Sequence, residues 1–198
     1  MKVSFRKEIH KRISVFENLD HRTYRLMEDF SNILFEALRR GNTIFTAGNG
    51  GSAANAQHIT GDIVGRYKLE RRGFAGISLT VDPSVMTAVS NDYGYETVFA
   101  RQLEGLGKKG DVLIVLSSSG NSLNLLKAVE KAKKIGIQTI GVLGNNGGML
   151  GPLLDKCITV SFKESDLVEE LSMSLFHIIL TVVEQKLVNI LENGGDFS

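Results

Sequence analysis

His58 and Asp62 stand four residues apart in a run of good helix formers, so a helix there puts an imidazole and a carboxylate on one face. These are side chains that hold divalent metals and that carry protons. Directly before them, Gly48, Gly50 and Gly51 let the backbone turn sharply around Asn49 and approach an anion. Ser52 is placed to cap the helix, whose unpaired N–H groups make a seat for phosphate or a sugar hydroxyl. A second cluster, Ser117-Ser118-Ser119-Gly120-Asn121-Ser122, brings hydroxyls and backbone N–H groups to the end of an apolar run. In an open α/β sheet that is where ligands bind.

These residues need elements to hold them. Apolar positions at helical spacing (Phe5, Ile9, Ile13 and Phe16, then Tyr24, Met27, Phe30, Ile33, Leu34 and Leu38) predict two opening helices. Asn18-Leu19-Asp20 reads as the break between them, with Asp20 as cap and Gly41 as stop. Candidate strands follow at 43–47, 75–80, 111–116, 137–142 and 157–161, separated by crossover-length segments. This alternation predicts an α/β fold: a five-stranded parallel sheet flanked by helices, with N-terminal helices and a long C-terminal helix. Asp111–Leu116 is almost wholly apolar, as a strand covered on both faces should be. Ser122–Ile135 reads as the next helix, Gly144–Gly148 as a structural turn, and Leu167–Leu191 as the last helix. The expected division is a single domain over 1–198: helices in 1–41, an α/β core in 42–162, a helix in 163–192 and a tail in 193–198.

Composition narrows the partners. With 23 basic and 22 acidic residues the net charge is +1, which provides no footprint for nucleic acid or an anionic membrane. The opening Met-Lys-Val-Ser-Phe-Arg-Lys carries charges where a signal peptide needs an apolar core, and no run approaches membrane-spanning length, so a cytoplasmic protein is expected. The lone cysteine, Cys157, reads as a buried strand thiol. His10 and His21 read as solvated or locally bonded. Gly48–Ala53 also fits the G-x-G-x-x-A turn of dinucleotide enzymes, with Asp82 as the ribose-binding carboxylate, but that scheme has no use for the serine loop or for His58 and Asp62.

The run AGNGGSAANAQH at 47–58, then GRY, ER, SLTVD, SNDYGYE, GDVLI, the SSSGNS loop and a late helix with His177, together resemble the phosphoheptose isomerases, members of the sugar isomerase (SIS) fold. The resemblance spans nearly the whole chain in order. It implies conversion of sedoheptulose 7-phosphate to D-glycero-D-manno-heptose 7-phosphate on the way to bacterial surface heptose, in a homotetramer with sites built across subunits. It further implies that Ser117, Ser118, Ser119 and Ser122 hold the phosphate, and that Asn49, Gly50, Gly51, Ser52, Asn91 and Asp92 contact the sugar. Such chemistry needs a base beside the carbonyl, an acid, and a group that stabilises an enediolate.

In the family, Zn²⁺ is held by His, Glu, Gln and His, and the Glu and second His also move protons. His58 and His177 match the two histidines. Asp62 stands where the family has glutamate, and Glu169 where it has glutamine, within Val168-Glu169-Glu170-Leu171-Ser172. The ligand set implied is therefore His58, Asp62, Glu169 and His177, with Asp62, Glu169 and His177 as acid/base groups and Asp62 and Glu169 also at the substrate. Our reading of the two departures is that the carboxylate function has moved, Asp62 binding metal or substrate while Glu169 supplies the longer arm near the sugar carbon. Two alternatives stand beside it: an isomerase of a different long-chain phosphosugar, and a non-catalytic sugar-phosphate-binding protein like the family's relative that partners the replication initiator DnaA.

Overall fold

The structure, a computed structural model, describes residues 4–162 and 164–192; the expected tail, 193–198, lies outside them. Strands β1 (Ile44–Ala47), β2 (Gly76–Ser78), β3 (Val112–Ser117), β4 (Gln138–Leu143) and β5 (Lys156–Thr159) form one sheet in the order β2-β1-β3-β4-β5. All four pairings are parallel. Helices α1 (Phe5–Glu17), α2 (His21–Arg39), α3 (Gly51–Val64) and α7 (Ser165–Glu192) supply the apolar layer on one face. Helices α4 (Pro83–Tyr93), α5 (Val98–Leu106) and α6 (Leu123–Ile135) cover the other.

Strand alternation divides the core between these layers. Ile44, Val112, Ile114, Leu116, Ile140, Val142 and Ile158 point into the α2/α3/α7 layer, where Phe30 of α2 meets Phe176 of α7 with ring centroids 6.3 Å apart. Phe45, Ala47, Leu113, Val115 and Leu143 point the other way, toward Phe99 and Leu103 of α5 and Leu125, Ala128 and Val129 of α6. Every residue of β1 and β3 is buried, which explains their nearly continuous apolar sequence, broken only by Thr46 and Ser117.

Local signals act as the sequence predicts at the first turn: Asp20 Oδ1 accepts from the Thr23 N–H at 2.7 Å and caps α2. Most boundaries shift by a residue or two, and three differences stand out. β2, expected over 75–80, shrinks to three residues at the sheet edge. β5 starts one residue earlier than 157 and stops at Thr159, because the carbonyls of Val160 and Phe162 accept instead from Asn146 and Asn145 in the turn after β4. α3 begins at Gly51 rather than Ser52. Gly50, at φ +56°, occupies its cap position, so Ser52 is a buried first-turn residue and makes no cap. Burial pushes the Cys157 thiol up to about 12, which leaves it unreactive. No helix among the described residues is long and apolar enough to cross a membrane.

The strand order places the site. The chain leaves β1 for the edge strand β2 and returns to β3 on the other side of β1, so the connections after β1 and β3 diverge to opposite faces. A crevice opens at such a switch point. The glycine loop follows β1 and the serine loop follows β3, and the register Ala47 to Val115 sets the two loops side by side.

Candidate active site

In the serine loop, Gly120 N–H donates to Ser117 Oγ at 3.1 Å and Asn121 N–H to Ser119 Oγ at 3.2 Å, curling the backbone around the start of α6. Ser117 is buried and Ser119 is exposed. Ser118 is half-buried, and Ser122 is the residue before the helix, with no side-chain cap of its own. Gly120 has φ +67°, and a side chain there would strike the Gly147 carbonyl. The turn at Gly144–Gly148 is therefore the back wall of this loop, and Asn121 Oδ1 accepts from Met149 N–H at 2.9 Å to hold it.

The glycine loop is tied across to the serine loop by a reciprocal amide pair. Asn49 Nδ2 donates to Asn124 Oδ1 at 3.0 Å, and Asn124 Nδ2 donates back to Asn49 Oδ1 at 2.8 Å. Tyr95 O–H donates to the same Asn49 Oδ1 at 2.9 Å. The side chain expected to touch sugar is thus engaged inside the protein, and Asn49 acts first as a brace. Asn91 and Asp92, at the exposed end of α4, bond to one another at 2.9 Å. The segment they begin reaches the glycine loop through Tyr95. Asn124 and Tyr95 are absent from the sequence reading. Asn124 carried a signal, a polar residue at a position of α6 that the apolar spacing buries. Asp82, the carboxylate of the dinucleotide alternative, caps α4 by accepting from the Ser84 and Val85 N–H groups.

Roughly two to three helix turns beyond the glycine loop, α3 faces α7. Asp62 Oδ2 lies 3.7 Å from His58 Nε2 and 3.7 Å from His177 Nε2, and the two imidazole nitrogens are 3.5 Å apart. Three ligand atoms therefore enclose one point. Three corners of a tetrahedron drawn ~2.1 Å from its centre sit roughly 3.4 Å apart, so the spacing suits a zinc-sized ion. The chemistry of the donors agrees. Asp62 Oδ2 is buried without a hydrogen-bond partner, which a protein pays for unless a cation or proton belongs there. Burial raises the Asp62 carboxyl above its usual range, against the pull of His58 and His177. Burial also lowers His177 below the usual imidazole value, opposed by Asp62, so its nitrogen is held ready as a lone-pair donor. The residues present fit a divalent metal.

Glu169 is not in that group. It precedes His177 by eight residues on α7, about 12 Å along a helix axis. Its carboxylate lies over Gly51 at the first turn of α3, where any side chain on Gly51 would collide with it. The Glu169 carbonyl accepts from Asn55 Nδ2 at 2.8 Å, which pins this part of α7 to α3. The site thus has a His58–Asp62–His177 cluster and, separately, a carboxylate set beside the glycine loop.

Comparison with known proteins places this arrangement. The family model for the SIS domain matches residues 5–144. The phosphoheptose isomerase of Helicobacter pylori strain Shi470 is 46% identical over 158 residues, covering 80% of this chain and 82% of its own. That of a Nitratiruptor species is 49% identical over 155 residues, covering 78% and 83%. Among solved structures, the phosphoheptose isomerase of Neisseria gonorrhoeae superposes with a TM-score of 0.85 at 29% identity, over 90% of this chain and 96% of that one. The Francisella tularensis phosphoheptose isomerase gives 0.83 at 29% identity, over 91% and 94%. With cluster, loops and sheet order in hand, these likenesses agree on one assignment: the chain belongs to the SIS-domain family and, within it, to the phosphoheptose isomerases.

Proposed function

We propose that this protein is an aldose–ketose isomerase that converts sedoheptulose 7-phosphate to D-glycero-D-manno-heptose 7-phosphate through an enediolate, the first step of bacterial nucleotide-activated heptose synthesis. The observation that carries the reading is the partnerless Asp62 Oδ2 between His58 and His177, set within reach of two anion loops at the sheet's switch point. The serine loop takes the phosphate with the hydroxyls of Ser117, Ser118, Ser119 and Ser122 and the N–H groups that open α6, where the helix dipole favours an anion. Gly50, with open space where a side chain would stand, leaves the start of α3 bare for the sugar. Glu169, lying over Gly51, removes the proton beside the carbonyl, and His177 passes a proton to or from oxygen through Nδ1, its Nε2 being turned to the cluster. Zn²⁺ held by His58, Asp62 and His177 would polarise the sugar carbonyl and stabilise the charge that develops on its oxygen.

This keeps the division of labour read from the sequence and drops only Glu169 from the ligand set. Asp62 is a ligand, and Glu169 is the base rather than a fourth ligand within its own chain. A shorter carboxylate suffices at 62 because α3 and α7 already bring both imidazoles to it. The assembly this reading takes is a homotetramer. Supporting it, α1 turns Phe5, Ile9, Ile13 and Phe16 outward, and a groove of about 200 Å³ between Tyr24 and Met27 of α2 and Ile178 and Val182 of α7 is also apolar. The location is the cytoplasm, where a phosphorylated sugar is retained by its charge. The test is isomerisation of sedoheptulose 7-phosphate by the zinc-loaded protein beside Glu169→Gln and Asp62→Glu, with other ketose phosphates of varied chain length as competing substrates. Turnover that prefers a different chain length would reassign the sugar, and binding without turnover would reduce the protein to a sugar-phosphate receptor.

A further inference from the structure

Arg71 and Glu184 form an ion pair at 3.0 Å with side chains only 4% and 3% exposed, and neither belongs to the site as described. Replacing a buried pair by apolar residues is often neutral or stabilising, so stability alone is a poor reason to keep one. What this pair touches is more informative. Arg71 Nη2 donates to the Asp62 carbonyl at 2.6 Å, and Nη1 to the carbonyls of Ile63 and Gly65 at 3.1 and 3.0 Å. The guanidinium thus closes the C-terminal end of α3, the helix that carries His58 and Asp62, where a cation also meets the helix dipole favourably. Glu184 lies on α7 seven residues, about two turns, after His177. Its carboxylate accepts from the backbone N–H groups of Tyr67, Lys68 and Leu69 at 2.7–2.9 Å as well as from Arg71. That fixes Tyr67, whose ring stacks on His177 with centroids 5.3 Å apart and planes 10° from parallel.

From this geometry we infer that Arg71 and Glu184 are a positioning pair: they set the approach of α3 to α7 and, through Tyr67, the orientation of the His177 ring, so that the Nε2 atoms of His58 and His177 meet at Asp62. The pair touches no ligand atom, and its contacts run to backbone and, through it, to Tyr67. Its metal consequence rests on the metal site proposed above, whereas the placement of His177 does not. Groups that orient ligating side chains typically change metal affinity 10–100-fold when lost.

The experiment uses the full chain with labelled histidine, metal-free, read by NMR. Of its four histidines, His10 and His21 are exposed and serve as internal references. The stacked Tyr67 ring shifts the His177 ring protons upfield of them. Two variants are compared, Glu184→Gln, which removes the charge at nearly constant shape, and Arg71→Lys, which keeps the charge but loses the fork on the α3 carbonyls. The expected result is a folded protein in which the His177 signals move toward those of His10 and His21, with zinc affinity measured by chelator competition 10–100-fold weaker. A folded variant whose His177 signals and zinc affinity stay within about twofold of wild type overturns the inference. So does loss of fold by both variants, since the pair would then carry the fold and not the site. A wild-type chain that binds no zinc removes the metal reading alone, because the NMR comparison is made without metal.

Discussion

Around Asn49 the polar side chains satisfy one another, with the Asn124 amide and the Tyr95 hydroxyl closing the loop at 2.8–3.0 Å, whereas Asp62 Oδ2, on the adjoining helix, is buried with no hydrogen-bond partner, its two imidazole neighbours standing 3.7 Å away. The first region is a finished frame that holds the glycine and serine loops at a fixed separation. The second leaves a buried carboxylate oxygen without a hydrogen bond, with two imidazoles as its neighbours. An unsatisfied buried acceptor costs about 1–3 kcal/mol, so its survival beside a fully satisfied network points to use. The same contrast appears in the buried carboxylates. Burial raises both Asp62 and Glu184, but at Glu184 three backbone N–H groups and Arg71 more than offset it and leave the group below its usual value.

Breaking the Asp62 cluster or the carboxylate beside the glycine loop should have the largest effect. Glu169→Gln removes the proposed base and should lower kcat roughly 10²–10⁴-fold with KM little changed, read in an isomerisation assay. Zinc added to wild type at a hundredfold excess over Kd should stabilise it by about 2.7 kcal/mol in thermal unfolding, and Asp62→Asn should lose most of that gain. Breaking the frame should be milder. Asn124→Ala strands the Asn49 amide and should cost about 1–3 kcal/mol of stability while raising KM for the phosphosugar more than it lowers kcat. Gly120→Ala, at φ +67° against the Gly147 carbonyl, should likewise raise KM and cost ~1–2 kcal/mol.

The smallest effect is in pH dependence, and its sign separates the two carboxylates. Asp62 is raised in the folded state, so it favours folding at pH below its ordinary 3.8 and that contribution is lost as pH rises through its folded value. Glu184 is lowered from 4.5, so its contribution is present above that and is lost as pH falls through its folded value. In metal-free protein, Glu184→Gln should flatten the acid limb of stability in urea melts, and Asp62→Asn should flatten the opposing loss on the rising side.

Much of this was legible in the residues. The central strands are readable because parallel strands buried on both faces are near-continuous apolar runs, as in Val112–Leu116, and the loops because the glycines from Gly48 and the serines from Ser117 come at the ends of two of them. His58 and Asp62 follow from helical spacing. What escaped was long-range pairing. Nothing local says that Asn49 meets Asn124, 75 residues away, or that Arg71 meets Glu184 across 113. Glu184 did leave a trace: it sits four after Leu180 and three before Leu187, within the buried stripe of α7, where an unpaired charge would not be tolerated. Glu169 was placed with the metal by resemblance and near the sugar carbon by our reading of the departures; its carboxylate lies over Gly51, apart from the His58–Asp62–His177 group.

The most direct test of the central claim is turnover of sedoheptulose 7-phosphate by the zinc-loaded wild-type chain, measured beside Glu169→Gln and the double variant Asp62→Glu/Glu169→Gln. The account predicts an active wild type, with Glu169→Gln at least about a hundredfold slower. An inert wild type beside an active double variant would contradict it.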